Sequence, residues 1–247
     1  MSRRMVSKTS QTVSRAVAIL RAIARESFNG LRLSDICEIT GLPQGTAHRL
    51  LQTLVAEGFV RQDGKRRRYG LGALNFELGL AISERPFFKQ LRPKLERLSA
   101  ASKETVCLFA RSGSDVICID RIDKGFTAPG FTEIGVKRPL CLGASGLALI
   151  ARLRNTETNK IILANSRDIE RHSLANMRSI KNEIRQARKR GYAVSRDLVV
   201  PGRAAVAVAL PLTQLMPPLS VSVSTFTNKL TTAREQEFFQ LIQQFML

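Results

Sequence analysis

The segment that most constrains this chain is residues 31–70, which read LRLSDICEITGLPQGTAHRLLQTLVAEGFVRQDGKRRRYG. Two short amphipathic helical patterns flank Gly41-Leu42-Pro43, and a hairpin pattern with a run of basic residues, Lys65 to Arg68, follows at once. Glycine suits a turn with positive φ, and proline suits the first position of the next helix. A helix pair followed by a basic hairpin is typical of a winged helix-turn-helix, in which one helix enters a DNA groove and the wing contacts phosphate.

The second helix of this pair has two different faces. Apolar residues recur at the spacing of a buried helical stripe, and they are Ala47, Leu50, Leu51, Leu54 and Val55. The opposite face is polar and carries Gln44, Gly45, Thr46, His48, Arg49, Gln52 and Thr53. A face that is merely solvated more often carries Glu and Lys, so we interpret this one as a surface that reaches bases and phosphates. DNA contacts are therefore predicted for Gln44, Thr46, His48 and Arg49.

The hairpin is predicted to be the wing. Phe59-Val60-Arg61 and Arg68-Tyr69-Gly70-Leu71 have strand-like composition, and Asp63-Gly64 between them is a strong hairpin signal. The residues predicted at the tip and on the returning strand, where they would neutralise phosphate, are Lys65, Arg66, Arg67 and Arg68. A solvated basic loop is the alternative, and only the neighbouring helix pair argues against it.

Two further expectations concern the beginning of this region. Ser34 is predicted to cap the first helix of the pair, with Asp35 in the first turn, where the helix dipole favours an acid. An earlier helix is predicted from a single apolar stripe made of Val13, Ala16, Val17, Leu20, Ile23 and Ala24. Residues 1–11 are polar and basic and do not contain the apolar core of a secretory signal.

The composition favours a polyanionic partner. The 247 residues include 39 Lys and Arg against 20 Asp and Glu, which gives a formal net charge of +19. No apolar run approaches the roughly 18 residues of a membrane span, so nucleic acid is favoured over an anionic membrane. Four separated cysteines favour reduced thiols in a cytoplasm, and the isolated His48 and His172 argue against zinc. We expect no metal and no cofactor.

Helical patterns follow the wing. Leu74, Leu78 and Ala81 share one face before Pro86, and a second pattern then contains Phe88, Leu91, Leu95 and Leu98. Pro93 is expected to kink this second helix or to start a new one. Either the chain itself or a second copy can cover the leucines, and a helix between two domains is well suited to dimer contacts.

From Thr105 onwards the pattern is typical of an α+β domain on one sheet. Strands are predicted at residues 105–111, 116–122, 131–134, 192–194, 204–210 and 219–226. Helices are predicted from Gly143 to about Arg152, from about Ile180 to Gly191, and from Thr232 with Phe238, Leu241, Ile242 and Phe245 on one face. The predicted domains are residues 1–72, a linker at 73–101, and a third part at 102–247.

In this order of elements the chain resembles the IclR family of bacterial transcriptional regulators. The residues that carry the resemblance are Val13-Ser14-Arg15-Ala16-Val17-Ala18-Ile19-Leu20, Gly41-Leu42-Pro43, Thr46-Ala47-His48-Arg49-Leu50-Leu51, Glu57-Gly58-Phe59-Val60, Arg190-Gly191-Tyr192-Ala193-Val194, Pro201-Gly202 and Leu219-Ser220-Val221-Ser222. The resemblance covers residues from about 11 to 247. It implies a homodimer or tetramer on a roughly palindromic operator, with a GAF-like sensor domain for a small organic acid, in some members an aromatic one.

The resemblance also implies where the effector binds. It places the pocket between one sheet face and the loop and helix around residues 139–150, with Ala144, Ser145, Ser195, Ala205, Ser222 and Ser224 as candidates. A helix N-terminus offers N–H groups to a carboxylate, and alternate serines on a strand share one face. Serines on a solvated sheet face are the alternative. Ala205 and Ser195 differ from the polar and acidic residues common in the family, and Gly45 replaces a common hydroxyl residue, so the resemblance does not identify the ligand.

Two other functional classes remain open. An enzyme is disfavoured because neither histidine has a partner and no nucleophile with a base is visible. Cys141 lies near the predicted pocket, but a buried structural cysteine is the more common case. The second class is an RNA-binding winged helix, which a preference for structured RNA over a palindromic duplex would reveal. We predict a ligand-controlled DNA-binding regulator that is not an enzyme.

Overall fold

A computed structural model describes residues 10–25, 29–123, 132–171, 176–212 and 216–247. The chain divides into two compact units, Met1–Phe88 and Lys89–Leu247. The predicted linker at residues 73–101 corresponds to two helices, of which the second belongs mostly to the second unit. His172 lies outside the described residues.

The first unit is a winged helix-turn-helix. Its elements are α1 (Gln11–Arg25), α2 (Leu33–Thr40), α3 (Gln44–Ala56), β1 (Val60–Asp63), β2 (Arg68–Leu71) and α4 (Leu74–Ser83). Helices α1, α2 and α3 pack together around a core that includes Ile19, Ile36 and Leu51, none of which has accessible surface. The antiparallel pair β1–β2 closes this core through Val60 and Tyr69.

The buried face of α1 differs from the predicted one. Ile19, Ala22 and Ile23 are buried, whereas Val13 and Val17 are 61 % and 38 % exposed and Ala24 is also exposed. Of the predicted stripe, only Ile23 is fully buried, while Ala16 and Leu20 pack partly against the core. The prediction chose the wrong set because several apolar residues cover more than half of this helix, and periodicity alone does not select among overlapping stripes.

The predicted beginnings of α2 and α3 were wrong by two residues and by one residue. Helix α2 begins at Leu33 after Arg32, and the Asp35 carboxylate accepts the backbone N–H of Arg32 at 2.9 Å. Ser34 instead donates its hydroxyl to Asp35. Pro43 is the residue before α3, where its carbonyl accepts the N–H groups of Thr46 and Ala47. Gly41 ends α2 with φ of 67°, as predicted for this turn.

Helix α5 (Pro86–Ser102) is continuous and contains Pro93, so this proline does not start a new helix. Leu91, Leu95 and Leu98 are buried within the chain itself, which therefore covers the predicted leucine seam. Helix α4 differs from α5 in burial, because every described side chain of α4 is exposed or half-buried. Its apolar side chains Phe76, Leu78, Leu80 and Ile82 are 75 %, 49 %, 61 % and 49 % exposed.

The second unit is an α+β domain built on one antiparallel sheet. Its strands are β3 (Thr105–Ser112), β4 (Asp115–Ile122), β5 (Lys137–Pro139), β6 (Ala193–Arg196), β7 (Arg203–Ala209) and β8 (Leu219–Phe226). They are ordered β5-β4-β3-β8-β7-β6. Its other helices are α6 (Ala144–Ala151), α7 (Asn155–Ala164), α8 (Ser166–Arg171), α9 (Met177–Arg190) and α10 (Thr232–Met246).

Both faces of the sheet are covered. Cys107, Phe109 and Ala207 join one core with residues of α6 and α9, such as Leu147 and Ile184. Since neighbouring residues on a strand point to opposite faces, the buried residues between them lie on the other face, which α10 covers at β7. These residues are Val106, Leu108, Val206, Val208, Val221 and Val223.

The main predicted elements of this unit are confirmed within two residues, except that α9 begins three residues before Ile180. Among the described residues, β5, α7, α8 and the short 3-10 helix Thr227–Lys229 were not predicted. The strand predicted at residues 131–134 is wrong for residues 132–134, which form a loop and the start of a turn. Residue 131 lies outside the described residues. Leu241 and Phe245 are only half-buried on α10, and Phe238, Ile242 and Met246 form its buried face.

Candidate DNA-binding surface and effector cavity

The polar face of α3 is available at the surface of the first unit. Gln44, His48 and Arg49 are exposed and Thr46 is half-buried, while Ala47, Leu50, Leu51 and Leu54 are buried behind them. Val55 was predicted in the buried stripe but is 36 % exposed. The helix therefore presents its hydrogen-bonding side outward and is held by leucines on the other side, which is the arrangement that groove insertion requires.

The wing has a longer turn than the one predicted. Asp63 pairs with Arg68, so residues 64–67 form the turn and Asp63 itself belongs to β1. The Asp63 carboxylate accepts the backbone N–H of Lys65 at 3.0 Å, and the Asp63 carbonyl accepts the N–H of Arg67 at 2.8 Å. Lys65, Arg66 and Arg67 are exposed at this tip. The aspartate was a correct turn signal because its side chain organises the turn.

Arg68 has a different position from the other basic residues of the wing. It is half-buried, and its Nη1 donates to the carbonyl of Gly30 at 2.8 Å. Next to it, Leu31 and Tyr69 exchange backbone hydrogen bonds of 3.0 and 2.7 Å. Arg68 therefore attaches the returning strand to the segment before α2, a role that the run of four basic residues does not distinguish.

In the second unit, one row of residues crosses the sheet. Ser195 on β6 pairs with Ala205 on β7, which pairs with Ser224 on β8, which pairs with Thr105 on β3. In the next row on the same face, Ser222 lies between Ala207 and Cys107. Because adjacent strands are in register, the hydroxyls and the small Ala205 side chain lie on one face of the sheet.

Helix α6 begins above this face. Gly143 precedes the helix with φ of 96°, in the region where a side chain would be strained. Farther along the helix, a Cβ on Gly146 would lie 2.0 Å from the carbonyl oxygen of Leu140, so glycine alone permits this close approach. The N-terminal turn of α6, with Ala144 and Ser145, is thereby held against the preceding loop and directed toward the sheet.

A cavity of about 60 Å³ lies between the sheet and the start of α6. All six residues predicted for the effector line it: Ala144, Ser145, Ser195, Ala205, Ser222 and Ser224. Asp197, two residues after Ser195, is not part of the wall, and its carboxylate accepts the N–H of Gly202 and the hydroxyl of Thr227 instead.

Residues that the sequence analysis missed also line the cavity. The polar and aromatic ones are Cys107, Phe109, Thr132, Arg138 and Arg203. The guanidinium of Arg203 lies 3.9 Å from the ring centre of Phe226, with which Arg203 pairs across the strands. Neither arginine belongs to a recognisable sequence motif. Strand alternation could have placed Arg203 at the cavity only if the register between β7 and β8 had been known.

Comparison with known proteins decides the family. Residues 12–64 match the family described as "IclR helix-turn-helix domain", and residues 79–246 match "Bacterial transcriptional regulator IclR C-terminal". The chain belongs to the IclR family. It is therefore a transcriptional regulator with an N-terminal helix-turn-helix domain that binds DNA and a C-terminal α+β domain that binds effectors.

Relatives of this IclR-family chain agree over nearly its full length. The transcriptional repressor IclR of Escherichia coli K12 is 28 % identical over 236 residues, covering 94 % of this chain and 86 % of the relative. A putative IclR regulator from Silicibacter sp. TM1040 superposes with a TM-score of 0.81 at 22 % identity, covering 94 % and 92 %. An IclR homologue from Microbacterium hydrocarbonoxydans, crystallised with 4-hydroxybenzoate, has a TM-score of 0.71 at 16 % identity, covering 95 % and 97 %.

Other chemistry has little support in the described ranges of this IclR-family chain. Cys141 is fully buried, and burial raises the pKa of its thiol to about 12, so it is protonated at neutral pH. No group of three or more His, Cys, Asp and Glu side chains suited to a metal ion occurs among the residues placed by the structure. In that same part of the chain, no helix combines the length and apolar character needed to cross a bilayer.

Proposed function

We propose that this chain binds a specific operator through α3 and the wing, and that a small organic acid in the cavity of the second unit controls this binding. The observation that carries the proposal is the convergence of six residues from α6, β6, β7 and β8 on one cavity. A helix N-terminus and several hydroxyls at one cavity suit a carboxylate. The Microbacterium homologue, which has this fold and was crystallised with 4-hydroxybenzoate, supports an organic acid as the effector.

On the DNA side, Gln44, Thr46, His48 and Arg49 are proposed to contact bases and phosphates. Their exposure opposite the buried leucines supports this role. Lys65, Arg66 and Arg67 at the wing tip are proposed to neutralise phosphate. For Arg68 we propose that the guanidinium chiefly positions the wing, since it already binds the Gly30 carbonyl.

We further propose a homodimer, or a tetramer built from dimers, on a roughly palindromic operator. The exposed apolar residues of α4 support a second copy as the partner, because Phe76 and Leu80 on an isolated chain would expose large apolar surfaces to water. Replacement of both by lysine is expected to shift the mass measured by light scattering toward the monomer. An unchanged mass would place the dimer contact elsewhere. The proposed location is the cytoplasm, where a bacterial chromosome is accessible.

The primary experiment measures operator binding with and without acid. Genomic fragments flanking the gene, labelled with a fluorophore, are titrated with the full chain, and a set of organic acids is then added. We expect nanomolar binding to one palindromic duplex and a change in affinity with at least one acid. If structured RNA competes better than duplex DNA, the RNA-binding class replaces this proposal. Turnover of the bound acid would establish an enzyme.

The shift in operator affinity requires two conformations with different affinities for the acid. A ligand that binds both forms equally shifts nothing, however tightly it binds. The conformation that the acid prefers determines whether the acid weakens or strengthens operator binding. The titration measures this change in affinity directly.

A further inference from the structure

Arg138 is a cation inside the cavity wall with few polar partners. It is the central residue of β5 and pairs with Val116 on β4. Its guanidinium carbon lies 5.3 Å from the ring centre of Phe109, and its Nη2 donates to the hydroxyl of Thr132. Its Nε is shielded from solvent and has no hydrogen-bond partner among the described residues.

The same guanidinium lies beside the beginning of α6. A Cβ placed on Gly143, the residue before the helix, would lie 3.6 Å from Nη1 of Arg138. The N–H groups of the first helical turn are the positive end of the helix. Two independent sources of positive potential, a side chain and a helix terminus, therefore meet at one side of the cavity.

The described wall of the cavity contains no carboxylate to balance this charge. None of its lining residues is an aspartate or a glutamate. Burial lowers the pKa of Arg138, because the charged guanidinium is removed from water. A cation that is removed from water without a counter-ion is costly, and a bound anion removes this cost.

We propose that Arg138 is the carboxylate-binding residue of the effector cavity. This inference rests on the proposed function of the cavity. The unpartnered Nε lies on the same edge of the guanidinium as Nη2, which carries a second N–H besides the one that Thr132 accepts. Together Nε and Nη2 offer the paired donors that bind both oxygens of a carboxylate. Serine hydroxyls on the sheet face remain for the rest of the molecule.

Propionate and lactate are the probes, because each presents a carboxylate on a small aliphatic group. The corresponding amides keep the shape of these acids without the negative charge.

The first experiment needs no ligand. The Arg138→Met variant removes the charge and retains much of the volume, so the melting temperature without added acid is expected to stay equal or rise. Arg111→Met is the matched control, because Arg111 on the same sheet binds Glu157 at 2.8 Å and the Gly113 carbonyl at 2.9 Å. The control is expected to melt at a lower temperature. If both variants melt below the wild type by the same amount, Arg138 is a structural residue and the proposal is overturned.

The second experiment measures acid binding by thermal shift at low ionic strength. At 100 times the dissociation constant, propionate or lactate is expected to raise the melting temperature of the wild type by about 5 °C, and the corresponding amides are not. Arg138→Met should weaken acid binding about thirtyfold or more, and Arg138→Lys should lose less affinity for the acid than Arg138→Met does. Equal binding of acid and amide, or no binding of either acid to the wild type, overturns the proposal.

Operator binding separates this inference from the proposed function. Arg138→Met without acid is expected to bind the operator like the wild type, because the residue is not part of the first unit. If the operator is bound and a neutral compound releases it from both proteins, the regulator function stands and the role of Arg138 fails. If the wild type ignores every duplex, the proposed function fails while acid binding still tests Arg138.

Discussion

The residues proposed for DNA binding and those proposed for effector binding are arranged in opposite ways. On α3, Gln44, His48 and Arg49 lie within six residues of each other on one exposed helix face. The cavity instead combines side chains of β3, β5, α6, β6, β7 and β8, from Cys107 to Ser224. The first site depends on helical periodicity alone, whereas the second exists only when the strand register is correct. Mutations should therefore affect binding alone in the first unit and often folding in the second.

The largest expected effect is that of Gly146→Ala, which sharpens this contrast. A Cβ there would lie 2.0 Å from the Leu140 carbonyl oxygen, so α6 must move away from the loop. The second unit is expected to lose about 3 kcal/mol of unfolding free energy in a urea titration. Gly45→Ala on α3 is the matched control, because a Cβ at that position meets nothing within 4 Å. Equal stability of the two variants would contradict the close approach.

Next in size is the loss of operator affinity in Arg49→Ala. A side chain that contacts bases or phosphate typically contributes about 1–3 kcal/mol, so binding should weaken roughly tenfold to hundredfold. Because Arg49 is exposed, the melting temperature is expected to stay the same. Lys160→Ala, an exposed cation on α7, is the control for the loss of one charge. A lower melting temperature for Arg49→Ala would show that the helix face is packed rather than free.

A smaller effect is expected at the wing tip. The combined variant Arg66→Ala and Arg67→Ala should reduce the slope of log affinity against log salt by about 0.9 for each phosphate that is no longer neutralised. The measurement is operator binding at several salt concentrations. Thr53→Ala, an exposed neutral position late on α3, provides a control of unchanged charge. An unchanged slope would exclude the wing from phosphate contact.

The smallest effect concerns the beginning of α2. The hydrogen bond from the Arg32 N–H lowers the pKa of Asp35 below its ordinary value of 3.8. The stabilisation is therefore present above pH 3.8 and is lost as the pH falls through the lowered pKa. Asp35→Asn should melt slightly below the wild type at neutral pH, and the two melting temperatures should converge at acid pH. A difference that persists at the acid end would assign the effect to something other than the carboxylate charge.

The sequence alone was sufficient for the elements with strong local signals. The strand β3, the hairpin at Asp63 and the leucine stripe of α3 depend on neighbouring residues, and all three are confirmed. The buried face of α1 was wrong because several apolar stripes overlap, and only packing against α2 and α3 selects Ile19 and Ala22. Strand β5 was missed because three residues carry no periodicity, and its existence depends on pairing with β4.

The sequence by itself determined the winged helix, the α+β order of the second unit and, through the family resemblance, six residues that line one cavity. Only the tertiary structure decided which basic residues bind other groups of the protein and which line the cavity. Arg68 binds a backbone carbonyl beside the wing, and Arg138 lies in the cavity between Phe109 and the start of α6. The physical reason is that charge is a local property of the chain, whereas burial and the lack of a counter-ion depend on residues that only folding brings together.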